Sequence, residues 1–153
     1  MSIFNKNTAL FALCEQHLKS VASHENLCPK LIANAIEQGT MVLLANPKHP
    51  HLQPCLVGQP AKIKVNANIG TSPMQNNPKQ ELKKLQTALA AGADTIMDLS
   101  IAGDLTQIRQ QMLETCPRPI GTVPLYAVAE RYINAGKDPV HFSPHELFEE
   151  IEK

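Results

Sequence analysis

Three residues whose side chains could line one pocket recur at one interval. Asn68, Met97 and Tyr126 each stand 29 residues from the next. An asparagine amide offers a ligand two donors and an acceptor. A tyrosine at a strand end can bring both ring and hydroxyl to a pocket. Such a set binds rather than transfers protons, and no residue is assigned a catalytic role. Each also has a structural reading: asparagine as a turn residue at a strand end, methionine as core filler, tyrosine as an ordinary half-buried ring. Asp98 faces away from Met97 in a strand of period two. It reads as a structural hydrogen-bonding partner rather than a base.

The elements that must position these residues are short strand-like runs at 64–70, 95–100 and 120–126, with a helix-like segment between each pair. An eight-unit β/α barrel of about 250 residues has a period of about 31 residues, and its strand ends converge on the face that carries the active site. An equal step of one βα unit therefore predicts three side chains around one pocket. Asn66 and Asn68 share a strand face. A polar face of that kind does not suit a plain apolar core.

Before these runs the sequence predicts helices over 8–20 and 29–38, the second opened by Pro29 and closed by Gly39. A strand is predicted at 40–45 and a proline-rich loop at 46–54. After residue 60 the rhythm becomes strand (62–69), helix to Ala91 capped by Asn77 with Pro78 first, strand (94–99), helix (105–114) capped by Asp104, strand (120–124) and helix (127–134). Ser143-Pro144-His145-Glu146 is a capping box that starts a last helix. Alternation at this spacing implies parallel βαβ units. The expected fold is α/β: a helical and loop segment at 1–60, then the first three βα units of an incomplete (β/α)8 barrel at 61–153.

Fourteen basic and fourteen acidic residues balance, so no net positive field argues for nucleic acid and no basic helix for a membrane surface. No apolar run approaches the roughly 18 residues of a membrane span. The N-terminal residues do not read as a secretory signal, and a cytoplasmic location is expected. Cys14, Cys28, Cys55 and Cys116 are scattered and read as ordinary buried or half-buried thiols. His49 and His51 flank Pro50 with no third ligand near, and read as surface histidines. The capping box leaves His141 outside the helix that carries His145, so no metal site is expected in this chain. Glycine-rich phosphate loops, a GxSxG turn and Cys-x-x-Cys are all absent.

At Lys64-Val65-Asn66-Ala67-Asn68-Ile69-Gly70-Thr71-Ser72 the chain resembles the phosphomethylpyrimidine synthase family of thiamine biosynthesis. The resemblance continues through Gly92-Ala93-Asp94-Thr95-Ile96-Met97-Asp98-Leu99-Ser100 and Pro119-Ile120-Gly121-Thr122-Val123-Pro124-Leu125-Tyr126. It is collinear over about residues 29–150 and includes both intervals. It implies a radical S-adenosylmethionine lyase that rearranges 5-aminoimidazole ribonucleotide to hydroxymethylpyrimidine phosphate. S-adenosylmethionine, a 4Fe-4S cluster and zinc would be its cofactors, and a homodimer its assembly. Asn68, Met97 and Tyr126 match the family's substrate-binding residues. The resemblance implies that Asn68 hydrogen-bonds the ribonucleotide, Met97 packs on it, and Tyr126 adds a ring and a hydroxyl.

Two motifs depart from the family. Ser100 is followed by Ile101-Ala102-Gly103 where the family reads Thr-Gly-Gly, and Ala45-Asn46-Pro47-Lys48-His49-Pro50 loses the second asparagine of an Ala-Asn-x-Asn-His-Pro loop. The family's metal-binding histidines and its C-terminal Cys-x-x-Cys-x4-Cys have no counterpart here, and a cluster needs its thiolates. The chain is therefore expected to resemble the N-terminal portion of the enzyme and to be inactive alone. The alternatives are a paralogue that makes 5-hydroxybenzimidazole from the same ribonucleotide, and a non-catalytic remnant or half of a split protein.

Overall fold

The computed structural model describes residues 2–152, which form two compact units. The first runs to Val65 and includes Cys116–Pro119; the second comprises Asn66–Thr115 and the chain from Ile120 on.

In the first unit, helices α1 (Ile3–Lys6), α2 (Thr8–Glu25) and α3 (Pro29–Glu37) precede an antiparallel ribbon of β1 (Val42–Leu44) and β2 (Cys55–Val57). The Asn7 side chain caps α2 by accepting from the Leu10 N–H. This helix runs past its expected end at residue 20 because Val21, Ala22 and Glu25 continue its buried face. It stops at Asn26, which adopts the left-handed conformation. Ile32, Ile36, Met41, Leu43 and Leu56 close the core with Val21 and Ala22. Strand β2 was not expected: three residues between Pro54 and Gly58 are too few to show a period.

The strand predicted from residue 62 begins only at Asn66. The cause is Glu25, whose carboxylate accepts from the Lys62 backbone N–H at 2.8 Å and pairs with Lys64 at 3.0 Å. A backbone donor committed to a carboxylate is withdrawn from a strand ladder. His49 is not the expected surface histidine. It is buried, with Nε2 2.7 Å from the Cys116 carbonyl oxygen. Cys14, Cys55 and Cys116 are buried and Cys28 is exposed. Burial pushes the Cys14 and Cys116 thiols above their usual range; for Cys116 the Arg118 backbone bond and charge oppose it.

The second unit alternates β3 (Asn66–Ile69), α4 (Pro78–Ala90), β4 (Thr95–Asp98), α5 (Leu105–Thr115), β5 (Ile120–Thr122) and α6 (Pro124–Asn134), then ends with α7 (Pro144–Glu152). Its strands form a parallel sheet in the order β3-β4-β5. The expected caps are in place. Asn77 accepts from the Gln80 N–H, Asp104 from the Gln107 N–H, and Ser143 and Glu146 bond reciprocally. Tyr126 does not follow a strand end directly: β5 stops at Thr122 and Pro124 opens α6, so the tyrosine lies in the first turn of a helix.

Ile69, Ile96 and Asp98 are the buried residues of the sheet, while Glu81 and Leu85 of α4 and Leu105, Ile108 and Met112 of α5 are the buried residues of those helices. Asp98 is fully buried, and its carboxylate accepts from Arg109 Nε and from the Ser100 N–H, each at 3.0 Å. Arg109 also meets Glu150 of α7 at 3.6 Å, and Arg131 of α6 meets the same carboxylate at 3.1 Å. The chain of charges thus ties β4 to three helices. Among the described residues no helix is long and apolar enough to cross a membrane.

Candidate functional site

The opposite face of the sheet is polar. Asn66 and Asn68 are exposed, and Thr95 and Met97 are half-buried. Asn66 pairs in register with Thr95, Asn68 with Met97, and Met97 with Gly121. A hydrogen-bonded row crosses the strands: Thr95 Oγ1 donates to Asn66 Oδ1 at 2.8 Å, and Asn66 Nδ2 donates to Asn68 Oδ1 at 2.9 Å. The row engages Asn68 Oδ1 and so biases the orientation of its amide. Asn68 is exposed, and its Nδ2, with two hydrogens, takes no part in the row.

Gly121 makes room for Met97. A Cβ on Gly121 would stand 3.1 Å from both Sδ and Cε of that methionine. The thioether therefore lies across the glycine, next in register to Asn68, where it can contact a ring held by the amide.

Behind the strand ends, backbone and side chains lock two turns together. Thr71 N–H donates to Ser100 Oγ at 3.0 Å, Thr71 Oγ1 to the Ala102 carbonyl at 2.5 Å, and Ile101 N–H to the Thr71 carbonyl at 3.0 Å. Buried Glu81 accepts from the Gly70 N–H at 2.8 Å and pairs with Lys84 at 2.6 Å. Gly70 is held at φ 154°, and a Cβ there would come within 2.6 Å of the Leu99–Ser100 backbone.

Tyr126 does not join that row. It is 39% exposed and lines a cleft of about 930 Å³ with Pro73, Asn76, Ile101, Gly103 and Glu130 among others. Neither Asn68 nor Met97 lines that cleft. Of the three residues singled out by spacing, the structure brings Asn68 and Met97 into direct register and places Tyr126 on α6 beside the loop that follows β4.

Sequence reasoning passed over Thr95, Gly121, Glu81, Thr71 and Ser100. Two of the contacts carried the signal already in use: Asn66 and Thr95, and Thr71 and Ser100, are also 29 residues apart. Glu81 left a different trace, an acid preceding the apolar stripe of α4.

Among the described residues no group of three or more His, Cys, Asp or Glu side chains is placed to hold a metal ion. The donors present fit neither an iron–sulfur cluster nor zinc, which need convergent thiolates or imidazoles. What these residues can do is bind and orient a ligand.

The sequence matches the radical SAM ThiC family over residues 6–153. It is 40% identical to the phosphomethylpyrimidine synthase of Desulfotalea psychrophila over 148 residues, covering 97% of this chain and 32% of that protein. Over 138 residues it is 38% identical to the enzyme of that name from Thermococcus gammatolerans and 37% to that of Pyrococcus furiosus, covering 90% of this chain and 32% of each. The chain thus spans about a third of the length of the curated relatives it matches.

Proposed function

The chain belongs to the radical SAM ThiC family, and from that premise we propose that it supplies the substrate-gripping wall of a phosphomethylpyrimidine synthase acting on 5-aminoimidazole ribonucleotide. In this reading the three parallel strands are the first three of a (β/α)8 barrel, and the polar face that carries Asn68 is its interior. The observation that carries the reading is the exposed Asn68 amide in register with Met97 over Gly121.

The Asn68 amide donates to an acceptor on the substrate, its orientation held by Asn66 and Thr95. The Met97 thioether packs on the imidazole ring, and Tyr126 contributes its ring and hydroxyl from α6. In the family, S-adenosylmethionine and a reduced iron–sulfur cluster supply the radical. This chain's own part is to bind and orient the ribonucleotide, and alone it is expected to be inactive. Ile101 lines the cleft beside Tyr126 where the family's motif has threonine. That apolar wall keeps a second product, 5-hydroxybenzimidazole, in view; analysis of the product separates the two.

The direct test is titration of the chain with 5-aminoimidazole ribonucleotide while the Met97 methyl is followed by NMR. A saturable shift at Met97 that Asn68→Ala weakens about tenfold is expected for one lost hydrogen bond. Unmoved Met97 at saturating ribonucleotide removes the proposal.

A further inference from the structure

We infer that the first unit carries a second binding site, a cleft for a phosphate or phosphomonoester centred on Arg118. It is independent of the ribonucleotide reading, since every residue in it belongs to the first unit.

The cleft has a volume of about 280 Å³, and His17, Val21, His24, Leu52, Pro54 and Arg118 are among its walls. Arg118 is half-buried, yet among the described residues its guanidinium has no hydrogen bond and no ion pair. A guanidinium carries five donors in a planar fork that matches phosphate or carboxylate. A guanidinium on a cleft wall with no protein acceptor keeps its whole fork available to an anion entering the cleft.

The arginine is held in place by its backbone. Its N–H donates to Cys116 Sγ and its carbonyl accepts from the same thiol, each at 3.4 Å. The Pro117 carbonyl accepts from the Gln53 N–H at 2.8 Å, and His49 Nε2 stands 2.7 Å from the Cys116 carbonyl oxygen. Three consecutive residues are thereby fastened, which presents the Arg118 fork to the cleft.

Glu25 is the carboxylate on the cleft wall, and it is already neutralised. Its oxygens accept from the Lys62 N–H at 2.8 Å and from Lys64 Nζ at 3.0 and 3.1 Å, and its side chain is 2% exposed. The Lys62 ammonium is in turn bonded to the His24 carbonyl. The rings of His17, half-buried, and His24, exposed, make no hydrogen bond among the described residues outside the cleft. The cleft thus holds one permanent uncommitted positive charge and two imidazoles able to donate, with no uncommitted carboxylate. A doubly charged tetrahedral anion uses all three, and bidentate Arg–phosphate bonds are the strong kind. Val21, Leu52 and Pro54 leave an apolar wall for a small organic group on the phosphate.

The test follows the histidine ring signals of the full 153-residue chain by NMR during titration with inorganic phosphate, ribose 5-phosphate, and sodium chloride at matched ionic strength. Saturable shifts at His17 and His24 with either phosphate, absent with chloride, are expected. Tighter binding of ribose 5-phosphate identifies a phosphomonoester, and equal binding a free phosphate. Arg118→Gln keeps every backbone bond of the segment and should weaken binding about tenfold or more, as loss of a charge-assisted contact does. Asn68→Ala should leave the phosphate response intact, which keeps this site's outcome apart from that of the ribonucleotide face. Should Arg118→Gln fold poorly, His17→Asn offers the same comparison with a smaller loss. Shifts no larger than those in chloride, or wild-type affinity in a folded Arg118→Gln, overturn the proposal.

Discussion

On the helix-side face of the sheet, Ile69, Ile96 and Asp98 are withdrawn from solvent, whereas on the other face Asn66 and Asn68 are exposed and Thr95 and Met97 half-exposed. The two faces share the same three short strands and the same ladder, so the difference lies in side chains alone. On the first, apolar burial and one compensated charge hold α4 and α5 to the strands. On the second, hydrogen bonds run sideways between side chains and leave donors pointing outward. In the proposed reading, a face that pairs its polar groups with each other and still exposes an amide is one organised for a ligand. A core face would have been organised to exclude one.

If that division is right, substitutions on the two faces should separate stability from binding. The largest loss is expected at Asp98. Asp98→Ala strips a fully buried carboxylate from Arg109, whose Nη2 already has no partner among the described residues. Breaking a buried pair in this way costs about 3–5 kcal/mol, read as a fall in the urea midpoint. Ile96→Ala, at a fully buried position in the same strand, should cost about 3 kcal/mol from lost burial and the cavity left behind. A cost under about 1 kcal/mol at both positions, the range of exposed sites, would erase the distinction between the faces.

Gly121→Ala acts across the strands and should divide its effect. The added methyl lowers the entropy of the unfolded chain, worth about 0.4–1 kcal/mol, but meets Met97 Sδ and Cε at 3.1 Å. Stability should therefore change little while the Met97 methyl signal moves and ribonucleotide affinity falls. An unmoved methyl would mean that the glycine does not set the position of the thioether.

A polar cluster away from both faces serves as a control. Glu146 accepts from the Ser143 N–H and from the Tyr132 hydroxyl, and these bonds hold its carboxyl below the usual carboxylate range. The same bond to Glu146 raises the Tyr132 hydroxyl above its usual value. Glu146 therefore adds stability at neutral pH that is lost as pH falls through its lowered value. Tyr132 adds stability that is full below the ordinary tyrosine value and lost as pH rises through its raised one. Both residues are half-buried and tie α6 to the start of α7, so that start should loosen at each extreme, seen as amide exchange, while the melting of the sheet stays the same.

The repeating units were legible because their punctuation is local. Asn77, Asp104 and Ser143 cap helices by bonds to residues three positions on, and Pro78 and Pro144 open them, so no tertiary contact is needed to read them. The step of 29 residues was half informative. From Asn68 to Met97 it is a strand register, but Met97 pairs with Gly121, and the second step overshoots into α6. An equal interval becomes a register only where helix and loops add to the same length, and the β4–β5 crossover is shorter. Long-range partners left no local trace. His49 is buried by a carbonyl 67 residues away, and Glu25 takes the Lys62 N–H from 37 residues away. Both overrode expectations drawn from a proline-rich loop and a strand-like run.

The smallest expected effect on stability falls at the residue most exposed to the proposed ligand. Asn68→Ala removes an acceptor from Asn66 Nδ2, but both side chains are exposed and water can replace the lost bond. The urea midpoint should move by less than about 0.5 kcal/mol, as for other surface changes. Ribonucleotide binding should nevertheless fall, because the amide that met the ligand is gone. Thr95→Val sharpens the point: it deletes the donor to Asn66 Oδ1 and lets that amide turn, while Asn68 itself is untouched. A loss of affinity smaller than that of Asn68→Ala, with an unchanged urea midpoint, means that the row orients the amide. Wild-type affinity in Thr95→Val means that Asn68 binds without help from its neighbours, and that the polar row is a consequence of solvent exposure rather than a device for positioning.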